Sequence, residues 1–278
     1  MSLAAPAPAD IAFPTVRLMG LDFAAISERE TVSYVLDGVV SRRGGWICPV
    51  NLDVLRQWHA SEDIRELVAD ADLVVADGMP LLWAGELQGS PLPERVAGSS
   101  LVMSLTAAAA DVDASIFLLG GNPGTAEASV LELTKLNPRL RIAGTLCPPF
   151  GFEGDPWWLE RIEHELRKTA PSIVYVGLGF PKQDRLIREL RDRLPGIWFL
   201  SCGISFSFMS GEISRAPASM QRLGLEWLHR MAQDPKRLVR RYVLEGIPFL
   251  VQLLAFALSF RWRDTSPARR LSHAGDPR

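Results

Sequence analysis

The sequence predicts an α/β fold: a Rossmann-like, mostly parallel sheet with helices on both faces, followed by a helical, basic C-terminal appendage. Three features of the chain predict it. Short apolar runs alternate with longer amphipathic stretches over residues 16–208. The runs are apolar enough to be strands that are covered on both sides, which is typical of parallel sheets. From Ala218 onward the pattern becomes helical, rich in arginine and finally apolar.

The predicted elements follow in regular strand and helix order. Ser27 and Glu30 form a capping box that opens the first helix, which runs toward Ser41. Strands are predicted at residues 46–50, 73–76, 115–119, 141–145, 173–177 and 197–201. Helical stretches are predicted at 52–70, between 80 and 110, and at 124–135, 156–168 and 182–194. In such a sheet, ligands bind beyond the carboxyl ends of the strands, so the loops there are the candidates for chemistry.

Composition and charge restrict the function classes. The 278 residues are 47% hydrophobic and 22% charged, which allows a full core. A net charge of −2 gives no basic field that would recruit nucleic acid. The three cysteines, Cys48, Cys147 and Cys202, are far apart and the histidines are scattered, so no metal site is indicated. We interpret the cysteines as reduced thiols in a cytosolic compartment.

Four regions are expected along the chain. Residues 1–14 are rich in Ala and Pro and lack a basic region followed by an apolar run, so we expect a loose arm, not a signal peptide. Residues 15–214 form the α/β domain, 215–263 the appendage and 264–278 a disordered tail.

The appendage ends in a short apolar run. The run covers residues 247–260 and is interrupted by Pro248 and Gln252. It is shorter than the roughly 20 residues that a spanning helix needs. Arginines at both ends, including Arg241 and Arg261, favour a helix that lies on an anionic membrane surface. A helix packed on the domain or on a neighbouring subunit is the alternative.

Asp77 is the candidate general base. It follows a predicted strand and precedes Gly78 and Pro80, so it is aimed into the crevice at the sheet edge. There it could deprotonate an acceptor hydroxyl. The alternative is that Asp77 caps the next helix, and the local pattern alone favours the cap.

Two further loops on the same edge are candidates for binding a nucleotide. Gly120, Gly121 and Gly124 lead into a helix N-terminus, which offers free amides to a diphosphate. Their spacing matches neither GxGxxG nor the Walker motif, and a simple tight turn explains them equally well. After the strand at 173–177, a turn at Gly179 brings forward Lys182 for a phosphate and Gln183 for a sugar hydroxyl or a base edge. An ordinary helix start with a solvated lysine is the alternative.

Arg95 is a further candidate anion ligand, although a lone arginine is usually a surface residue. Two DxD sequences, at 70–72 and 111–113, precede strands at the opposite end of the sheet. We interpret them as solvated acidic turns, which disfavours metal use.

Together these motifs resemble the WecG/TagA/CpsF glycosyltransferases, which build teichoic-acid linkage units, enterobacterial common antigen and exopolysaccharides. The resemblance extends from about Val16 to Tyr242. It is carried by Asp77-Gly-Met-Pro, Arg95-Val-Ala-Gly, Leu119-Gly-Gly-Asn-Pro-Gly, Gly179-Phe-Pro-Lys-Gln, Arg215-Ala-Pro and the Leu-Glu-Trp-Leu segment.

The resemblance implies an inverting enzyme that uses a UDP-sugar donor and a polyprenyl-diphosphate-linked sugar acceptor, without a metal or other cofactor. It implies a peripheral location at the cytoplasmic face of the bacterial plasma membrane. The family's proposed base falls on Asp77, which raises the base interpretation above the cap. Matched positions in the donor and acceptor site are Asn51, Arg95, Gln183 and Arg215. Arg230, Arg237 and Arg240 match a basic appendage thought to close over the site and touch the membrane.

Three positions depart from the family pattern: Pro49 stands where Thr is frequent, Ser100 where Asp is common, and Asp184 where Glu is usual. They suggest a different sugar or acceptor, and Pro49 and Ser100 also suggest a nucleotide-sugar-binding regulator or scaffold that has lost catalysis. A nicotinamide oxidoreductase is a further rival, against which the missing GxGxxG and the basic, apolar C-terminus speak. The sequence names neither sugar and is compatible with a homo-oligomer.

Overall fold

The computed structural model describes residues 13–217, 219–220 and 224–264, without the side chains of residues 237, 263 and 264. Apart from residues 13, 14 and 264, the predicted N-terminal arm and C-terminal tail lie outside these ranges.

A six-stranded parallel sheet forms the centre of the fold. Its strands are β3 (Gly45–Val50), β4 (Leu73–Ala76), β5 (Ser115–Gly120), β6 (Arg141–Leu146), β7 (Ile173–Gly177) and β8 (Trp198–Ser201). Their order is β4-β3-β8-β7-β5-β6, and all neighbouring pairs are parallel. All six predicted strands are confirmed. An additional antiparallel hairpin, β1 (Thr15–Leu18) and β2 (Leu21–Ala24), was not predicted.

Helices follow the strands as predicted. They are α1 (Glu28–Val40), α2 (Leu52–Ala60), α3 (Glu62–Ala69), α4 (Met79–Gln88), α5 (Gly98–Asp111), α6 (Thr125–Leu136), α7 (Pro156–Thr169), α8 (Lys182–Arg191), α9 (Ser205–Met209), α10 (Glu226–Gln233), α11 (Pro235–Val239) and α12 (Ile247–Asp264). A short 3-10 helix lies at Phe152–Gly154, and Arg240–Gly246 forms π-helical turns that lead into α12. The capping box is present, because the Ser27 hydroxyl accepts from the Glu30 amide and the Glu30 carboxylate accepts from the Ser27 amide.

Two hydrophobic clusters cover the two faces of the sheet. Alternate residues of each strand enter opposite clusters: Phe117 and Leu119 face one, Ile116 and Leu118 the other. The first cluster includes residues of α2, α3, α4 and α8, and the second includes residues of α1, α5 and α6. The predicted arrangement of helices on both faces is therefore confirmed.

The final helix shares the core of the α/β domain. Phe249, Leu253 and Ala257 recur every fourth residue, are buried, and belong to the first cluster, where α12 packs against α4. The other face of α12 exposes apolar side chains, among them Val251 and Phe256. The continuous helix at Arg240–Trp262 has 23 residues, which by length and composition alone would suffice to cross a membrane. It is longer than the apolar run considered from sequence, and its buried stripe corresponds to the packed-helix alternative.

Candidate active site

A cavity of about 310 Å³ opens at the carboxyl ends of β3, β4, β7 and β8. It lies at the sheet edge where the sequence predicted chemistry. Residues that follow the four strands form its floor and walls, including Asn51, Asp77, Gly179 and Gly203. The C-terminal segment, residues 224–264, covers the cavity with side chains from α10 and from the π-helical turns.

Asp77 points toward the N-terminus of α5. Its Oδ2 accepts a hydrogen bond from the Gly98 amide at 3.3 Å, and its own amide donates to the Val50 carbonyl at 2.8 Å. The N-cap of α4 is Gly78, with a φ of 153° and no side-chain cap hydrogen bond. The interpretation of Asp77 as the cap of the next helix is therefore wrong, because its carboxylate serves the first amide of α5 instead.

Asp77 belongs to a charge cluster with Arg95, Glu226 and Arg230. Arg95 Nη1 lies 3.1 Å from Glu226 Oε2, and Glu226 and Arg230 are one turn apart on α10. Removal from water raises the pKa of Asp77, and the negative charge of Glu226 raises it further. The positive charges of Arg95 and Arg230 and the Gly98 amide act in the opposite direction. The carboxyl group is thus tuned toward a stronger base than a solvated aspartate.

Asn51 and Gln183 both line the cavity and both have structural roles. The Asn51 Oδ1 caps α2 by accepting from the amides of Asp53 and Val54 at 3.0 and 3.1 Å. The buried Gln183 Oε1 accepts from the amides of Gly179 and Gly203, each at 3.1 Å. Gln183 therefore ties the loop after β7 to the loop after β8.

A polar network lies beneath the cavity. Asp184 is fully buried and accepts from the Ser201 hydroxyl at 2.6 Å and the Cys48 thiol at 3.7 Å. The Ser201 hydroxyl in turn accepts from the Trp46 indole at 3.0 Å. Burial raises the pKa of Asp184 to about 7, against the lowering effect of these donors. The network ties α8 to β3 and β8, directly below the residues that line the site.

The glycine-rich turn after β5 does not line this cavity. Gly120, Gly121 and Gly124 all have positive φ, between 83° and 101°. A Cβ on Gly120 would meet Leu178 at 2.7 Å, and one on Gly121 would overlap Thr125 Oγ1. Close packing therefore accounts for the first two glycines, and a left-handed N-cap of α6 accounts for Gly124.

Three of the other candidate cations, Lys182, Arg215 and Arg240, do not line the cavity. Lys182 Nζ lies 2.6 Å from the Glu153 carboxylate, beside a second cavity. Arg215 Nη2 donates to the hydroxyls of Ser99 and Ser100 at 3.2 and 3.0 Å. Arg240 is 80% exposed and pairs with Glu245 at 3.2 Å. The side chain of Arg237, the fourth candidate, lies outside the part of the chain that the structure describes.

The structure adds cavity residues that the sequence did not single out as site residues. Arg241 lines the cavity and lies 2.9 Å from Asp53 Oδ2. The same carboxylate contacts Arg56, which also pairs with Glu245 at 2.8 Å. This alternating series of charges joins the C-terminal segment to α2. Glu226 lies within the Leu-Glu-Trp-Leu segment, but the segment alone does not show which side chain faces the domain.

Both DxD sequences lie at the far end of the sheet and pair with arginines. Asp72 pairs with Arg191 at 3.0 Å, and Asp111 pairs with Arg139 at 2.6 Å. Within residues 13–217, 219–220 and 224–264, no group of three or more His, Cys, Asp or Glu side chains is placed to hold a metal ion.

Comparison with known proteins adds the family. The model of the glycosyl transferase WecG/TagA/CpsF family matches residues 16–263. The chain is also 27% identical over 196 residues to the N-acetylglucosaminyldiphosphoundecaprenol N-acetyl-beta-D-mannosaminyltransferase of Bacillus subtilis (strain 168). That alignment covers 70% of this chain and 73% of the relative. The family match includes every residue that lines the cavity.

Proposed function

The chain belongs to the WecG/TagA/CpsF family of glycosyl transferases, and on that basis we propose that it transfers a sugar from a UDP-sugar to a polyprenyl-diphosphate-linked sugar. The Bacillus subtilis relative is named for an acceptor of this chemical class. We infer a single displacement with inversion at the anomeric carbon, in which Asp77 is the general base.

The environment of Asp77 is the observation that carries this proposal. Among the described residues, four carboxylates line the cavity, at Asp53, Asp77, Asp184 and Glu226. Asp53 and Glu226 are held by arginines, and Asp184 is fully buried beneath the site. Asp77 instead accepts a backbone amide and has a raised pKa, which suits a group that must take a proton near neutral pH.

In the proposed reaction, the acceptor hydroxyl oxygen attacks the anomeric carbon of the donor while its proton passes to an Asp77 carboxylate oxygen. The bond from the anomeric carbon to the diphosphate oxygen breaks, and UDP leaves with the electron pair. Arg95, Arg230 and Arg241 line the same cavity and supply positive charge for the leaving diphosphate. Pro49 also lines the cavity. Because it replaces a frequent Thr hydroxyl, we propose that the sugar or acceptor differs from the N-acetylmannosamine case.

The test is transfer by the purified full chain from a panel of UDP-sugars to a short-chain polyprenyl-diphosphate sugar, followed by mass spectrometry. We expect Asp77→Asn to lose about 100-fold or more in transfer while UDP binding is retained. Asp111→Asn, at the far end of the sheet, is the matched control and should keep full activity. Transfer by Asp77→Asn at the parent rate would refute the base assignment. Tight UDP binding by the parent without transfer to any acceptor would favour the binding-protein alternative.

We also propose that α12 lies on the cytoplasmic face of the bacterial plasma membrane, where a lipid-linked acceptor would be found. Its exposed apolar face and the neighbouring arginines suit an interfacial helix. Replacing both Val251 and Phe256 with serine should weaken binding to anionic phospholipid vesicles and should cost less stability than a change at the buried Leu253, since both side chains lie on the exposed face of α12. Unchanged vesicle binding would contradict the membrane assignment.

A further inference from the structure

The ion pair between Arg95 and Glu226 joins the C-terminal segment to the α/β domain inside the cavity. The two atoms lie 3.1 Å apart, and the side chains are only 19% and 17% exposed. The pair is therefore shielded from solvent more than an ordinary surface salt bridge, and its strength is reduced less by salt. On the domain side, the Val96 amide donates to the Ala76 carbonyl at 2.9 Å, which fixes the segment that carries Arg95 beside Asp77.

Glu226 and Arg230 lie on the face of α10 that is directed toward the cavity. Both residues line it, and both alter the pKa of Asp77, Glu226 upward and Arg230 downward. The carboxylate of Glu226 thus lies among the groups that would surround a reacting sugar and its diphosphate. It places a negative charge where the proposed reaction needs positive charge.

We propose that Glu226 occupies, in the donor-free protein, the anion position beside Arg95 that a diphosphate takes on binding. The inference rests on the proposed function, because it concerns the ligand of the same site. Without ligand, the two arginines of the charge cluster are balanced by its two carboxylates. A diphosphate that entered while Glu226 kept its place would bring further negative charge beside both carboxylates, which a partly desolvated site disfavours.

Displacement of Glu226 resolves this conflict. The guanidinium of Arg95 exchanges a carboxylate for phosphate oxygens, which are equally good partners for its fork of N–H groups. Arg230 lies one turn from Glu226 on α10 and lines the same cavity, so it faces the same diphosphate once the Glu226 carboxylate has turned away from Arg95. Glu226 is therefore a residue that sets the affinity of the site for diphosphates, and not a group that contacts the reacting atoms.

The experiment measures diphosphate binding by the full chain and by Glu226→Gln with isothermal titration calorimetry. We expect Glu226→Gln to bind UDP about fivefold more tightly, since the ligand no longer competes with a partly buried carboxylate. Glu226→Ala also removes the charge and should change affinity in the same direction. Uridine, which has no phosphate, should bind parent and variants alike. Glu212→Gln, a carboxylate outside the cavity lining, is the matched control and should leave UDP affinity unchanged.

A double-mutant cycle with Arg95→Gln tests the mechanism directly. In the Arg95→Gln background, the second substitution at Glu226 should no longer increase the affinity for the diphosphate, because the guanidinium for which the two compete is absent. Farnesyl diphosphate, titrated in parallel, distinguishes the diphosphate of a lipid acceptor from that of the donor. Tightening for UDP assigns the position to the donor, and tightening for farnesyl diphosphate alone assigns it to the acceptor.

Unchanged or weaker binding of both diphosphates by Glu226→Gln and Glu226→Ala would overturn the inference while the proposed function stood. So would an equal gain in the presence and absence of Arg95. A parent protein that bound neither UDP nor farnesyl diphosphate would overturn the proposed function together with the inference.

Discussion

Replacing Leu253 with alanine is expected to destabilise the whole protein, although the residue lies near the C-terminus of the described chain. Leu253 is 1% exposed and belongs to the same hydrophobic cluster as residues of α2, α4 and α8. Removing a leucine side chain from such a site costs about 2–5 kcal/mol, because transfer energy is lost and a cavity remains. The expected decrease in the free energy of unfolding is therefore a large part of the total stability of a typical domain.

Urea unfolding of the full chain, followed by both circular dichroism and tryptophan fluorescence, measures this decrease. Val251→Ala is the matched control, since Val251 lies two residues earlier on the same helix and is 62% exposed. We expect it to change stability by less than about 0.5 kcal/mol. Equal effects of the two substitutions, or an early transition that releases α12 while the α/β domain stays folded, would refute the reasoning that α12 is part of the core.

Three further predictions concern the site and its supports. Folding raises the pKa of Asp184 to about 7, so its contribution to the free energy of unfolding falls as the pH rises from ~4 to ~7. Asp184→Asn should therefore weaken the dependence of that free energy on pH, as measured by urea unfolding at several pH values. The negative charge of Glu226 raises the pKa of Asp77, so Glu226→Gln should move the acidic limb of the kcat/KM profile to lower pH; an upward shift would contradict this coupling. Ser100→Asp should raise the free energy of unfolding by about 1 kcal/mol in thermal unfolding, because a carboxylate in the first turn of α5 would pair with Arg215. A lower stability of this variant would show that the pair does not form.

Strand positions could be predicted from the sequence because each apolar run is bounded by turn residues, and all six runs became strands of one sheet. The hairpin β1–β2 was missed, although Val16 and Leu18 in one strand and Leu21 and Phe23 in the other occupy alternate positions, which is the sequence pattern of half-buried strands. The break between α2 and α3 was also missed. Ser61 has an extended backbone there, with a φ of −133°, and no glycine or proline marks it.

Motifs that follow strands pointed to the edge of the sheet where the cavity opens, but they did not show which loops meet there. Asn51, Asp77, Gly179 and Gln183 come together because β3, β4, β7 and β8 lie side by side. The loop after β5 begins at the same edge, but β5 lies beyond β7, outside the set of four adjacent strands whose loops form the cavity. The order of strands in a sheet depends on long-range packing, so local spacing could not exclude the glycine turn from the cavity.

The direction of side chains on a helix explains why neighbouring residues of one motif have different surroundings. Successive side chains on a helix point about 100° apart, so Gln183 is buried beside the cavity while Lys182 contacts Glu153 outside its lining.

The same rule separates Arg240 from Arg241 on the C-terminal segment. Arg241 turns inward and pairs with Asp53, which holds the segment on α2 and over the cavity. Arg240 is 80% exposed, and its pair with Glu245 is of the surface type that contributes little to stability. An arginine so exposed, about two turns before α12 with its exposed apolar face, is well placed to meet anionic lipid headgroups. One segment therefore carries two kinds of cation: those that fix it to the domain, and those that suit the surface where the proposed acceptor would be anchored.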